Sequence, residues 1–242
     1  GSGYYSTSGQ CFTDATAQCF TGTSQCSAST SCSVGVTYVP DNNFENFLET
    51  HSGATPTTAY GSSPIPATWP NTMGNGIIGD NLVLNNNICC VTHLSMSNQY
   101  ISDLTGIESF NELLFLHCGH NQLTTIDVSN NINLRIIWTE NNQLTALDIS
   151  YNVDLTWVSC QNNQLTSLDT SNNPLMTQVL CYVNAITSLD FSQNPLMKYI
   201  WCWQNQLTSI DVSMLPDLRD LRCSYQPLGT IDVTNNNNFR CY

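Results

Sequence analysis

The sequence predicts an α/β-type repeat solenoid: a curved parallel β-sheet on the concave face, a short helical amino-terminal cap, and mostly turns and loops on the convex side. Three observations predict it. Leu123, Leu144, Leu165, Ile186, Leu207 and Leu228 are each 21 residues apart, and so are Asp127, Asp148, Asp169, Asp190, Asp211 and Asp232. Self-similarity at a fixed period marks a stacked architecture. Inside each period apolar residues alternate, as in "YIWCW" (199–203), the period-2 rhythm of a strand whose side chains point to opposite faces. Ahead of the repeats, Phe44, Phe47 and Leu48 share one face at i, i+3, i+4 spacing, the rhythm of a helix.

In chain order, residues 1–37 are a cysteine-rich, Ser/Thr-rich segment. Cys11, Cys19, Cys26 and Cys32 stand among polar residues with little to pack, so cross-links are expected where burial cannot hold a fold. With Cys89 and Cys90 they are the disulfide candidates, and the sequence leaves their connectivity open. Cysteines cross-linked in this way place the chain in an oxidising, extracellular setting. Residues 38–87 read as the cap. Asp41 caps the helix, the apolar helix face covers the end of the first coil, and 51–75 is a loop in which Trp69 is a packing anchor. Residues 88–242 are the solenoid, about seven repeats. Copies begin at Leu113, Leu134, Leu155, Met176, Met197 and Leu218, after a 22-residue copy at Val91. Phe239 opens an eighth strand, Cys241 points outward on it, and no carboxy-terminal cap is evident.

One copy reads "LTWVSCQNNQLTSLDTSNNP" (155–174). Its L-x-x-V-x-C-x-x-N-x-L core is the leucine-rich repeat pattern, with Cys160 in the last apolar strand position. Together with "YISDLTGIESF" (100–110), the repeats resemble a bacterial secreted leucine-rich repeat surface protein, internalin-like, with 21–22-residue repeats. "YVPDNNFENFLETH" (38–51), followed by "MGNGIIGDNLVL" (73–84), is similar to the amino-terminal cap of secreted surface proteins from gliding Gram-negative bacteria. The resemblance implies the fold and a secreted or surface location. It names no ligand, because such proteins bind many things.

Four columns recur along the stack. Cys118, Cys160, Cys181, Cys202 and Cys223 share one inward position, with Thr139 filling the gap. In-register neighbours project in parallel, a poor start for disulfide torsions or tetrahedral metal geometry, so they read as buried free thiols acting as small hydrophobes. Asn121, Asn142, Asn163, Asn184 and Asn205, with Gln226 last, end each strand and replace lost ladder partners with side-chain amides. The aspartates accept backbone N–H bonds in their own turns; calcium is the rival reading, but one carboxylate per turn supplies few ligands. His93, His117 and His120 read as exposed and unpartnered, with no metal centre.

The fourth column set faces out. Of eighteen outward strand positions, seven are aromatic: Phe115, Trp138, Trp157, Tyr182, Tyr199, Trp201 and Trp203. An aromatic content of 10% would put about two there. Leu180 and Val183 extend the patch. Arg135, Lys198, Arg219 and Arg222 are four of the five cations and project from the same strands. The net charge of −13 argues against a phosphate-backbone partner and nucleic acid, and no run approaches a membrane span. No nucleophile elbow, phosphate loop or clustered metal motif appears, and no cofactor is implied. The expectation is a secreted, non-catalytic recognition or adhesion module. It binds a protein or glycan on its aromatic concave face, through Phe115, Trp138, Trp157, Tyr182, Tyr199, Trp201, Trp203 and Arg222. The alternative is a self-assembling subunit of an extracellular filament or surface layer, joined head-to-tail through the Cys-rich arm and the last repeat.

Overall fold

The computed structural model describes residues 35–51 and 73–239. Strand β1 (Val36–Tyr38) leads into helix α1 (Asn42–Thr50), followed by β2 (Leu82–Leu84), the single helical turn α2 (Asn85–Ile88), β3 (His93–Ser95) and a 3₁₀ turn (Ile107–Ser109). The remaining strands are β4 (Phe115–His117), β5 (Ile136–Trp138), β6 (Trp157–Ser159), β7 (Gln178–Leu180), β8 (Tyr199–Trp201) and β9 (Asp220–Arg222). β3 to β9 form one parallel sheet in chain order. Its register steps by 22 residues from His93 to Phe115 and by 21 from Phe115 to Ile136, as the repeat spacing predicts.

Each strand is three residues long, and its middle residue points inward. Leu94, Leu116, Ile137, Val158, Val179 and Ile200 are all buried, and the repeat-opening Leu113, Leu134, Leu155, Met176, Met197 and Leu218 join them. A repeat this short cannot enclose a core alone; the core is continuous because each coil covers the next. The thiol column lies in it: Cys118, Cys160, Cys181 and Cys202 are buried free cysteines and Cys223 is half-buried. Burial in apolar surroundings pushes the thiols of Cys160 and Cys202 up to about 12.

The asparagine column does what its position requires. Asn163 Nδ2 donates to Thr139 O at 3.0 Å and Cys160 O at 3.1 Å, and its Oδ1 accepts from Leu144 N at 2.9 Å. One amide thereby joins neighbouring coils where the strand ladder ends. A second asparagine ladder escaped the sequence reading. Asn131, Asn152, Asn173, Asn194 and Asn236 are buried on the opposite flank, and Asn173 Nδ2 donates to Ile149 O and Asn152 O. The aspartates take their Asx role: Asp169 Oδ1 accepts from Ser171 N at 2.9 Å, and these bonds hold its carboxyl below the usual range.

The cap is built around α1. Asp41 Oδ1 accepts from Asn43 N and Phe44 N, capping the helix as expected. Its Oδ2 takes Ser102 N at 2.7 Å, Ser102 Oγ at 2.8 Å and Asp103 N at 3.1 Å, so the same carboxylate fastens the helix to the first coil. Phe44, Phe47 and Leu48 are buried. The antiparallel pairing of β1 with β2 was not expected, nor were two buried carboxylates on α1. Glu45 accepts from Gly79 N and Asn81 N, and Glu49 from Asn75 N and Gly76 N. A Cβ at Gly74 would overlap the Glu49 carboxyl, so a larger residue there would push that carboxyl off its N–H donors. Cys89 and Cys90 are not among the free thiols, and their sulfurs, 3.6 Å apart, are too distant to be bonded to each other. The cross-links expected at Cys11, Cys19, Cys26 and Cys32, and the readings of Trp69 and Cys241, lie outside the described residues.

Candidate functional site

The outer face of the sheet is set by alternation: with the middle residue of each strand inside, its two flanking residues point out, and so does the residue two further on. Those positions bring the aromatic residues together on one surface. None of the seven belongs to the apolar core cluster. They pack on one another in two groups.

The first group spans β4 to β6. Phe115 and Trp138 meet edge-to-face at 5.1 Å, His117 and Trp138 at 5.2 Å, and Trp138 and Trp157 at 4.9 Å, the favoured geometry for ring quadrupoles. Phe115 is only 5% exposed. Its neighbours cover it, so it supports the floor and offers little surface to a partner. The second group spans β7 to β9. Tyr182 and Trp203 stack with centroids 3.8 Å apart and planes 10° from parallel. Trp201 lies 6.0 Å from Trp203 and carries the Arg222 guanidinium 4.2 Å above its ring. Arg222 also pairs with Asp220 at 3.0 Å, and Trp201 Nε1 donates to the same carboxylate at 3.1 Å. Tyr199 is half-buried beside them, as are Trp138, Trp157, Tyr182, Trp201 and Trp203.

The histidines differ from expectation. They are half-buried and partnered: polar residues of adjacent coils stand beside His117 and His120, and the preceding residue beside His93. His117 Nδ1 is 3.3 Å from Ser95 Oγ, and its Nε2 is 3.0 Å from Glu140 Oε1. His120 Nε2 is 3.2 Å from Asn141 Nδ2, and His93 Nδ1 is 3.0 Å from Thr92 Oγ1. Burial holds the His93 imidazole below its ordinary value. Glu140 is 7% exposed and leans over Gly119, where any side chain would strike it. Sequence reasoning missed this carboxylate; its only signal was an acid at an outward strand position. Its Oε2 and Trp138 Nε1 are buried and form no hydrogen bond among the described residues. Among those residues, no three His, Cys, Asp or Glu side chains are grouped to hold a metal.

Beyond each strand one residue adopts the left-handed conformation: Asn98, His120, Asn141, Asn162, Val183, Gln204 and Tyr225, with φ between 53° and 60°. Asn tolerates this region; β-branched Val183 does not, and it is a strained exception beside Tyr182. Tyr225, 82% exposed, stands at the same place after β9.

No protein-family model matches the chain, and no curated protein sequence matches it. Solved structures do. An internalin (inlF) from Listeria monocytogenes is 20% identical with a TM-score of 0.60, over 64% of this chain and 48% of that one. A second internalin (inlC2) from the same species is 14% identical with a TM-score of 0.58, over 84% of this chain and 92% of that one. A leucine-rich repeat protein of Leptospira interrogans is 21% identical with a TM-score of 0.55, over 62% of this chain and 42% of that one. The match thus spans about half or less of the inlF and Leptospira chains. Among the described residues no helix is long and apolar enough to cross a membrane. The chain carries the leucine-rich repeat fold, in the internalin-like form of a parallel-sheet solenoid with 21-residue coils.

Proposed function

We propose that this protein is an extracellular, non-catalytic recognition module that binds a protein or glycan partner on its concave sheet. One observation carries the reading: half-buried indole and phenol rings line the outer face of the sheet, outside the hydrophobic core. A chain with 10% charged residues spends four of its five Trp and most of its cations there. Large rings and arginine are the residues that anchor interfaces, because they bury much area for little conformational entropy. The rings also stabilise one another, but mutual packing alone does not account for Tyr225 standing in solvent.

The test is a screen of the purified protein against printed glycans and secreted proteins, repeated with Trp201→Ser/Trp203→Ser. The double variant is expected to lose capture of whatever wild type retains, with its thermal midpoint shifted by no more than a few degrees. Undiminished capture would remove the concave face from the account.

A further inference from the structure

We propose that the carboxy-terminal part of the sheet holds a subsite for an acidic pyranose, a six-membered sugar ring bearing a carboxylate. The ring stacks on Trp203 above Ser224, and Arg222 receives the anion. The inference rests on the recognition reading above and names its ligand class.

The molecule supplies its own template in two adjacent columns. In one, the face of Trp201 on β8 is covered by the Arg222 guanidinium from β9, at 4.2 Å. In the next, Tyr182 covers one face of Trp203 in a near-parallel stack. On the far side of Trp203 the repeat places Ser224, held there by the bond from Gln204 N to Ser224 O at 3.0 Å. Ser224 is exposed, and a serine is too small to cover an indole. One face of Trp203 therefore opens on a slot of the kind that Arg222 fills one column away.

The rim selects the occupant. Arg222 Nε and Nη2 bond Asp220, whose carboxylate also takes the Trp201 indole N–H, while Nη1 has no hydrogen-bond partner among the described residues. The guanidinium is thus fixed in place with a donor edge to spare, and its side chain is 48% exposed. The two columns are two residues apart along the strand, about 6–7 Å at a rise of ~3.3 Å per residue. A single group that stacks on Trp203 and presents an anion to Arg222 must carry a flat apolar face and a carboxylate within that span. An acidic pyranose does both, with C–H bonds for the indole and a carboxylate for the guanidinium, and its hydroxyls suit the Ser224 hydroxyl and the exposed Gln204 amide. A residue inside a peptide chain does not, since an acidic side chain has no ring and an aromatic one no carboxylate.

Calorimetric titration with trigalacturonate, its methyl ester and the peptide Glu-Tyr-Glu tests this. Trigalacturonate is expected to bind saturably and to weaken as salt rises, and the uncharged ester to bind at least about tenfold more weakly. Ser224→Phe, which fills the slot while leaving Trp203 and Arg222 in place, abolishes binding, as does Arg222→Gln. Met214→Ser, at an exposed site away from the sheet face, leaves it unchanged. Thermal midpoints identify any variant that has lost its fold. Equal binding of the ester, undiminished binding by Ser224→Phe, or binding of the peptide without the sugar overturns the assignment. If wild type ignores trigalacturonate yet captures array ligands through Trp201 and Trp203, this inference fails and the recognition reading stands.

Discussion

At the scale of single residues, the account turns on which side of a strand each side chain takes. Cys160 and Cys202 are buried, and burial raises their thiols to about 12. A raised folded pKa contributes stability that is complete below the unfolded value, about 9, and is lost as pH rises toward the folded one. Thermal midpoints should therefore be level near neutrality and fall above about pH 9. In the native state a thiol reagent at pH 8 should modify half-exposed Cys223 first and leave Cys118, Cys160, Cys181 and Cys202 untouched until the protein unfolds. Asn163 is the polar counterpart. Replacing it with Ala strands the carbonyls of Thr139 and Cys160 and the N–H of Leu144. The expected cost is roughly 2–3 kcal/mol, moderated where water enters, and denaturant titration measures it.

At the scale of elements, the strands and the first helix were legible because their signals are local and periodic. Alternation placed β4 to β9 within their repeats, and the spacing of Phe44, Phe47 and Leu48 after Asp41 placed α1. What the sequence hid was non-local. Glu45 and Glu49 look like solvated acids on the polar face of a helix. They are buried only because residues 75–81, 26 to 36 positions later, fold back and donate backbone N–H groups to them. The β1–β2 pair and the bond of Asp41 to Ser102 are invisible for the same reason. The second asparagine ladder is periodic too, but spacing alone does not tell a buried amide from one in a solvated turn. Glu45→Ala leaves the N–H groups of Gly79 and Asn81 without their acceptor, and is expected to cost roughly 2–4 kcal/mol. In hydrogen exchange, protection should fall in residues 75–81 more than in the repeats from Leu134 onward.

At the scale of the whole molecule, a solenoid is a sum of coils and the interfaces between them. The site was legible as a surface before its chemistry was: the excess of rings at outward positions could be counted. Their stacking partners, the burial of Phe115 and the seating of Arg222 on Trp201 depend on side-chain directions that no spacing reports. The aspartate ladder also acts at this scale. In the folded state, hydrogen bonds from the residue two places on hold Asp127, Asp148, Asp169, Asp211 and Asp232 below the ordinary carboxylate range. The stability they contribute is present above about pH 4 and is lost as pH falls through the folded values. Thermal midpoints should hold from pH 7 to 5 and drop steeply below 4, and an Asp169→Asn variant should show a shallower drop.

The most direct measurement of the central claim is hydroxyl-radical footprinting of the native protein read by mass spectrometry. Oxidation of Trp157, Trp201, Trp203 and Tyr182 with Cys118, Cys160, Cys181 and Cys202 left intact is the predicted pattern. Spared rings, or oxidised thiols in protein that is still folded, would contradict it.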